Sequence, residues 1–458
     1  MHPLKAVTIY GSLFFGAVSL LLSKIKKKDI YSMDASSKGT VVLGDSRWSA
    51  FQVWLEQHGL SHPSLVLAYF PDTGRGLMAT ADFEEGDILV RIPARVLLTP
   101  KRTHLLFNGH PAIVALKQHP SIALFIAWQA LHRTPEWGPY MDILPQSFDT
   151  MPLCMPLDML KALPYDIQAM ARDQRTKIDT DYRLVCEALV TAGYGNIPMA
   201  TFEWAWIVVN TRCISMNTAT MASETPTSIS GMSLVGRRPQ ITLAPFLDCL
   251  NHTPSARISA GYNAAEKAYV IRTLVPYPKG SEVHINYGPH DNNFLLAEYG
   301  FVVPNNPYNH VVLDREVDNE MVGWVAVMEL LKSEGMHGEY IVADEDIGYR
   351  IINAMRLLVA VQRGHSLVAV LPAWRRVLGG TLPYISKELE SATLERLACI
   401  FKAKLTRCQQ ALESIDKKNF MVPLYALLFS KKILNETIQT LEKVIDMVSN
   451  ELSLFSTK

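Results

Sequence analysis

Ala244-Pro245-Phe246-Leu247-Asp248-Cys249-Leu250-Asn251-His252 sets three polar side chains, Asp248, Asn251 and His252, into an apolar run. A buried run of this kind must give each polar group a hydrogen-bond partner or lose several kcal/mol per group. A lone buried His or Asn is more often a satisfied core residue than a ligand contact. Three so close together are harder to assign to the core alone.

Two further segments belong with this one. Val283-His284-Ile285-Asn286-Tyr287-Gly288-Pro289 is a β-prone stretch ending at a tyrosine and a turn, with Glu298-Tyr299-Gly300-Phe301 shortly after it. Such aromatics build either a core corner or a narrow channel suited to an alkylammonium through cation–π attraction. Far upstream, Thr73-Gly74-Arg75-Gly76-Leu77 carries two glycines that either make an ordinary turn or bring bare backbone close to a ligand. Gly74 to Ala79 also fits the G-x-G-x-x-A dinucleotide form, but Asp82-Phe83-Glu84-Glu85-Gly86-Asp87 follows as a turn into a strand. The helix whose N-terminus would meet a pyrophosphate is missing, so a Rossmann site is set aside.

Composition narrows the function. The 458 residues hold 44 Lys plus Arg against 44 Asp plus Glu, so no global field draws the chain to nucleic acid, and no direct nucleic-acid binding is expected. The six cysteines, Cys154, Cys186, Cys213, Cys249, Cys399 and Cys408, show neither a Cys-x-x-Cys pair nor zinc-ligand spacing. They read as buried thiols in a reducing compartment, with no metal site. Ala6 to Ser23 is an uncharged, largely apolar run of 18 residues followed by Lys24, Lys26, Lys27 and Lys28. Two readings stand: a membrane anchor through residues 6–23, with the body of the protein on the cytosolic side, or an interfacial or disordered tail. The expected location is cytoplasmic, nuclear or both, with or without that anchor.

Along the chain, Trp48, Phe51, Trp54, Leu55 and His58 predict a short amphipathic helix, and Asp87 to Ile92 a strand. From about Ala112 to Met216 the pattern is helical, with segments at Ile122–Leu131, Met159–Ile178, Tyr182–Thr191 and Thr201–Asn210. Thr218 to Gln240, rich in Ser, Thr, Gly and Pro, is expected to be a mobile loop. Strands resume at Ile241–Leu243, Arg257–Tyr262, Ala268–Val275 and Glu282–Tyr287. Beyond about Val312 the pattern is helical again, with Met321, Trp324, Val325, Met328 and Leu331 at helical steps.

The order of the quoted segments, Thr73 to Leu77, Leu247 to His252, Ile285 to Gly288 and Glu298 to Phe301, resembles a SET domain. The long helical insertion and helical C-terminal region make the chain similar to the Rubisco large-subunit methyltransferase class. Trp137-Gly138-Pro139-Tyr140-Met141-Asp142-Ile143-Leu144-Pro145, Val209-Asn210-Thr211-Arg212 and Tyr287-Gly288-Pro289-His290-Asp291-Asn292 resemble the SET domain-containing protein four subfamily most. The fold class implied is α+β: a SET-domain β fold with a knot-like cofactor site, a long helical insertion and an all-α, substrate-binding-like C-terminal domain. The implied division is 1–46 for the N-terminal segment and linker, 47–311 for the SET domain with its insertion (about 112–216) and loop (218–240), and 312–458 for the helical domain.

The resemblance implies S-adenosyl-L-methionine as cofactor and a lysine-bearing protein, histone or non-histone, as substrate and partner. Gly74, Arg75 and Gly76 would lie along the cofactor, and Arg212 and Asp248 would help form its site. Asn251 and His252 would hold its methionine and adenine ends, Tyr287 would be the catalytic tyrosine, and Tyr299 and Phe301 would line the cofactor and acceptor channel. The expected activity is protein-lysine N-methylation. Histidine methylation by an enzyme of the same class, and a catalytically weak SET scaffold that binds protein, stay open as alternatives.

Overall fold

The structure, a computed structural model, describes residues 40–41, 45–60, 64–216, 240–418 and 420–456. The expected anchor at 6–23 and all of the expected loop before Gln240 lie outside these residues. Among the described residues no helix is long and apolar enough to cross a membrane.

Strand β1 (Thr40–Val41) precedes the helix Ser46–Gln57, whose first turn is capped by the Asp45 carboxylate accepting from the Arg47 N–H. Trp48, Phe51, Trp54 and Leu55 on one face of that helix are buried, as their spacing predicts. β2 (Leu65–Phe70) and β3 (Gly74–Ala79) form a hairpin in which Phe70 faces Gly74. Gly74 takes φ +74°, so glycine relieves the strain of the hairpin's exit. β4 (Ile88–Pro93) then leaves the first β unit.

The insertion that follows is helical. The helix Gln118–His132 buries Ile122 through Ala127 against the helix Met199–Arg212. Two expected helices, Met159–Ile178 and Tyr182–Thr191, are instead one continuous helix, Tyr165–Thr191. Asp179-Thr180-Asp181 between them contains no Gly or Pro to break the ladder. Asp181 does not cap a new helix either, because its carboxylate accepts from Trp206 Nε1 at 2.9 Å. The expected Met159 start also shifts: Leu157–Leu160 is a separate turn, and the long helix begins after Pro164.

β5 (Cys213–Met216), continuous with the end of the helix Met199–Arg212, pairs antiparallel with β6 (Gln240–Leu243). β7 (Asn251–His252), β8 (Ile258–Asn263), β9 (Ala268–Thr273) and β10 (Glu282–Ile285) complete the β part. One sheet runs β1-β2-β3-β10-β7 and another β4-β9-β8. Within the first, β10 is antiparallel to β3 but parallel to β7, with His284 opposite Asn251 and Ile285 opposite His252. That parallel pair crosses segments about thirty residues apart and seats three distant pieces of chain side by side. One continuous core, from Trp48 to Ile285, backs this arrangement.

A second core unites the C-terminal helices Tyr349–Gln362, Leu367–Leu378, Lys387–Lys417 and Leu424–Ser456. The region is helical but not all-α. β11 (Val311–Val312), β12 (Ile341–Ala343) and β13 (Asp346–Ile347) form a three-stranded sheet. Short β-branched runs around a turn with Glu345 at φ +54° are too brief to show a clear period, and tertiary pairing decides them. The helical steps from Met321 to Leu331 are likewise interrupted: helices Asp314–Glu320 and Val325–Ser333 are separated at Gly323, φ +87°. All six cysteines are free, but only Cys249 and Cys408 are buried, and Cys154 and Cys399 are exposed, against the expectation of buried thiols.

Candidate active site

The residues singled out in the sequence come from six places in the chain, in or just past an element each. Gly74, Arg75 and Gly76 open β3, Arg212 ends the helix Met199–Arg212, and Asp248 lies in the one-turn helix Leu247–Cys249. Asn251 and His252 form β7, Tyr287 lies two residues past β10, and Tyr299 ends the helix Asn292–Tyr299. Gly300 terminates that helix at φ +78° and turns the chain so that Phe301 faces back.

Tyr287 is the hub. Its phenol donates to the Leu250 carbonyl at 2.7 Å, and its backbone N–H donates to His252 Nδ1 at 3.0 Å. Its ring lies 5.1 Å from those of His252 and Tyr299 and 6.2 Å from that of Phe301, centre to centre. Burial pushes the Tyr287 phenol well above its ordinary pKa, partly offset by Arg212, so it stays protonated at neutral pH. Burial likewise brings His252 down to about 4. The neutral ring accepts at Nδ1, which puts its proton on Nε2, and that buried nitrogen has no partner among the described residues.

A second cluster adjoins the first. Arg212 Nη1 donates to the Asp248 backbone carbonyl at 2.7 Å and to its Oδ2 at 3.1 Å. The Asp248 carboxylate is fully buried, and its Oδ2 also accepts from the Tyr140 hydroxyl at 2.9 Å. Burial works to lower the Arg212 pKa and Asp248 to raise it, with a net rise, so the guanidinium stays charged. Arg75 keeps solvent access at the rim yet feels both Arg212 and Asp248, which leaves the group with a net charge of one positive. Just before the Asp248 turn, Phe246 is fully buried at φ +77°, ψ −47°, a strained backbone for a bulky residue, of a kind that clusters at functional sites.

Sequence reading missed Glu282. Its carboxylate accepts from Thr73 Oγ1 at 2.6 Å and from Asn251 Nδ2 at 2.7 Å, and Asn251 Nδ2 also reaches the Arg75 carbonyl at 3.2 Å. A Cβ on Gly76 would stand 2.4 Å from Glu282 Oε1 and 2.9 Å from Asn251 Nδ2, so any side chain there must push these two groups out of their present bonds. Gly74, by contrast, has open space beside it and serves the turn. A glutamate in a strand looks like any solvated position, and no sequence pattern announces its partners on β3 and β7. Tyr140 was inside a quoted segment, but nothing there tied its hydroxyl to Asp248.

The SET domain model matches residues 74–288. The chain is 27% identical over 450 residues to SET domain-containing protein 4 of Homo sapiens, covering 92% of this chain and 97% of that protein. It is 26% identical over 313 residues to a ribosomal lysine N-methyltransferase of Schizosaccharomyces pombe, covering 67% and 73%. A solved structure of Rubisco LSMT bound to sinefungin and monomethyllysine superposes with a TM-score of 0.65 at 15% identity, over 90% of this chain and 93% of that one. The crossing of β7 and β10 at residues 251–252 and 284–285 lies inside the matched span, so residues 74–288 match the SET domain and the chain has the fold of the Rubisco LSMT structures over most of its length.

Proposed function

We propose that the chain is an S-adenosylmethionine-dependent protein methyltransferase that modifies the side-chain amine of a lysine on another protein. One observation carries this reading: the Tyr287 phenol is pinned to the Leu250 carbonyl beside the crossing of β7 and β10, with His252, Tyr299 and Phe301 around its ring.

The residues fit the cofactor. The orphaned His252 Nε2–H is a buried donor that a purine nitrogen would satisfy. The net positive group of Arg75, Arg212 and Asp248 suits the single carboxylate of the methionine end, and the glycine at 76 leaves the backbone of β3 open to close approach. When bound, S-adenosylmethionine supplies a methyl group already activated on a sulfonium centre.

The chain supplies the rest. An incoming lysine, of ordinary pKa about 10.4, must release its proton to solvent water as it enters, and an aromatic, water-poor channel favours that release by disfavouring the charged form. Before that loss, the faces of Tyr299 and Phe301 hold an alkylammonium by cation–π attraction. Tyr287 acts as an orienting group rather than a base: its own proton is committed to the Leu250 carbonyl, and its oxygen remains free to accept from the amine. Fixing that amine along one line of approach removes much of the entropic barrier to transfer.

Incubation of the protein with radiolabelled S-adenosylmethionine and cell extract tests the proposal. Wild type should label a protein band, Tyr287→Phe should not, and amino-acid analysis should recover methyl-lysine. Methyl-histidine would redirect the assignment to the acceptor, and cofactor binding without labelling would reduce the chain to a binding scaffold.

A further inference from the structure

Besides Arg212, the helical insertion sends one side-chain oxygen to the Asp248 carboxylate, the hydroxyl of Tyr140. Tyr140 sits in the helix Gly138–Ile143 with its ring fully buried, 5.9 Å from Phe51 and 6.4 Å from Trp137. A hydroxyl in such an aromatic cluster must find a partner, and Tyr140 finds Asp248 Oδ2 at 2.9 Å. The same oxygen accepts from Arg212 Nη1 at 3.1 Å, while the Asp248 backbone carbonyl takes a second bond from that nitrogen at 2.7 Å. The carboxylate is therefore clamped from two sides. Remove the phenol, and Oδ2 keeps the arginine alone, with Cys249 Sγ 4.0 Å from Oδ1, so the carboxylate can turn while Arg212 Nη1 stays held by the Asp248 backbone carbonyl and loses its second, orienting bond.

We propose that Tyr140 is a positioning residue: its hydroxyl locks the Asp248 carboxylate in one orientation and, through it, aims the Arg212 guanidinium into the site occupied by Tyr287. The inference rests on the reading of Arg212 and Asp248 as part of the cofactor site. It adds a second residue of the insertion, beside Arg212, to those that shape the ligand site.

Tyr140→Phe keeps the ring in its aromatic cluster and deletes one oxygen. S-adenosylhomocysteine binding by calorimetry, steady-state kcat and KM for S-adenosylmethionine, and thermal unfolding are measured on wild type, Tyr140→Phe, Asp248→Asn and the double variant. Loss of one hydrogen bond to a charged group predicts that Tyr140→Phe weakens binding about threefold to tenfold and raises KM, with kcat at saturating cofactor changed less than about twofold. In the Asp248→Asn background the same change should have little further effect, because the group it acts through is already altered. Unchanged affinity in a folded Tyr140→Phe overturns the inference, as do additive losses in the double variant. If Tyr140→Phe does not fold, the comparison of Asp248→Asn with wild type decides: unchanged affinity there removes the relay. No binding by the wild type overturns the cofactor reading and this inference with it.

Discussion

Glu282 Oε1 accepts the side-chain amide of Asn251 at 2.7 Å, and this one bond joins β10 to β7 above their parallel crossing. The other carboxylate oxygen takes the Thr73 hydroxyl at 2.6 Å, so a single side chain, 9% exposed, ties together the three segments that frame the site. Asn251, with both amide hydrogens directed to Glu282 and the Arg75 carbonyl, is left presenting its carbonyl oxygen as an acceptor.

Glu282→Ala should therefore act on the site and on the fold together. Deleting an acceptor of two hydrogen bonds, one of them from a half-buried amide, is expected to cost about 2–3 kcal/mol. Urea unfolding measures this, and S-adenosylhomocysteine affinity should fall in parallel. A variant as stable as wild type would contradict the bridging role.

The two glycines of β3 should separate by mechanism. Gly76→Ala drives a methyl to within 2.4 Å of Glu282 Oε1 and must displace the carboxylate or the strand, so ligand affinity should drop sharply. Gly74→Ala meets no atom within 4 Å and is strained only by its φ of +74°, at about 1–2 kcal/mol in stability with a smaller effect on binding. Equal losses of affinity would show that the crowding at Gly76 is not the deciding feature.

Two histidines with buried ring nitrogens, His119 and His252, should make the fold sensitive to acid. Burial lowers His119 to about 3 and His252 to about 4, from an ordinary 6.5. The unfolded chain then binds protons that the folded one refuses, so the stability that these neutral rings contribute is complete above about pH 6.5 and is lost as pH falls toward 4. The expected slope is about 1.4 kcal/mol per pH unit for each histidine within its window. Denaturant titrations of His119→Phe between pH 7 and pH 4 should show a shallower decline than wild type; parallel curves would exclude His119 as a source.

Gly300→Ala should disturb the aromatic pair on either side of it. The residue sits at φ +78°, and an added Cβ would lie 2.7 Å from Thr150 Oγ1 and 2.9 Å from Met151 Cγ, in the insertion. Strain and crowding together predict a loss of about 2–3 kcal/mol, read as a fall in melting temperature. A wild-type melting temperature would mean that the insertion yields freely at this point.

The amphipathic helix at Ser46–Gln57 and the helices about Ile122–Leu131 and Thr201–Asn210 could be read directly, because apolar spacing within a few turns reports which face is buried. The split expected between Ile178 and Tyr182 went wrong because a polar triplet does not break a ladder, while the helical steps read from Met321 to Leu331 hold through Val325–Ser333 and are interrupted only by the turn at Gly323. The sheet at β11–β13 escaped notice because strands of two and three residues have no period to display.

For the site, residue types drew attention to Gly76, Asp248, Asn251, His252 and Tyr287 but left a core or turn reading open at each, and the order of the motifs and their resemblance to a SET domain supplied the roles. What the chain order does not contain is partnership across distance. That Glu282 holds Thr73 and Asn251, that Tyr140 holds Asp248, and that His252 Nε2 is left without a partner among the described residues follow only once β3, β10 and β7 lie side by side and the insertion closes over them. Hydrogen bonds of this kind link residues from 31 to 209 positions apart, so their geometry is set by the packing of whole elements and not by any local preference of the residues that make them.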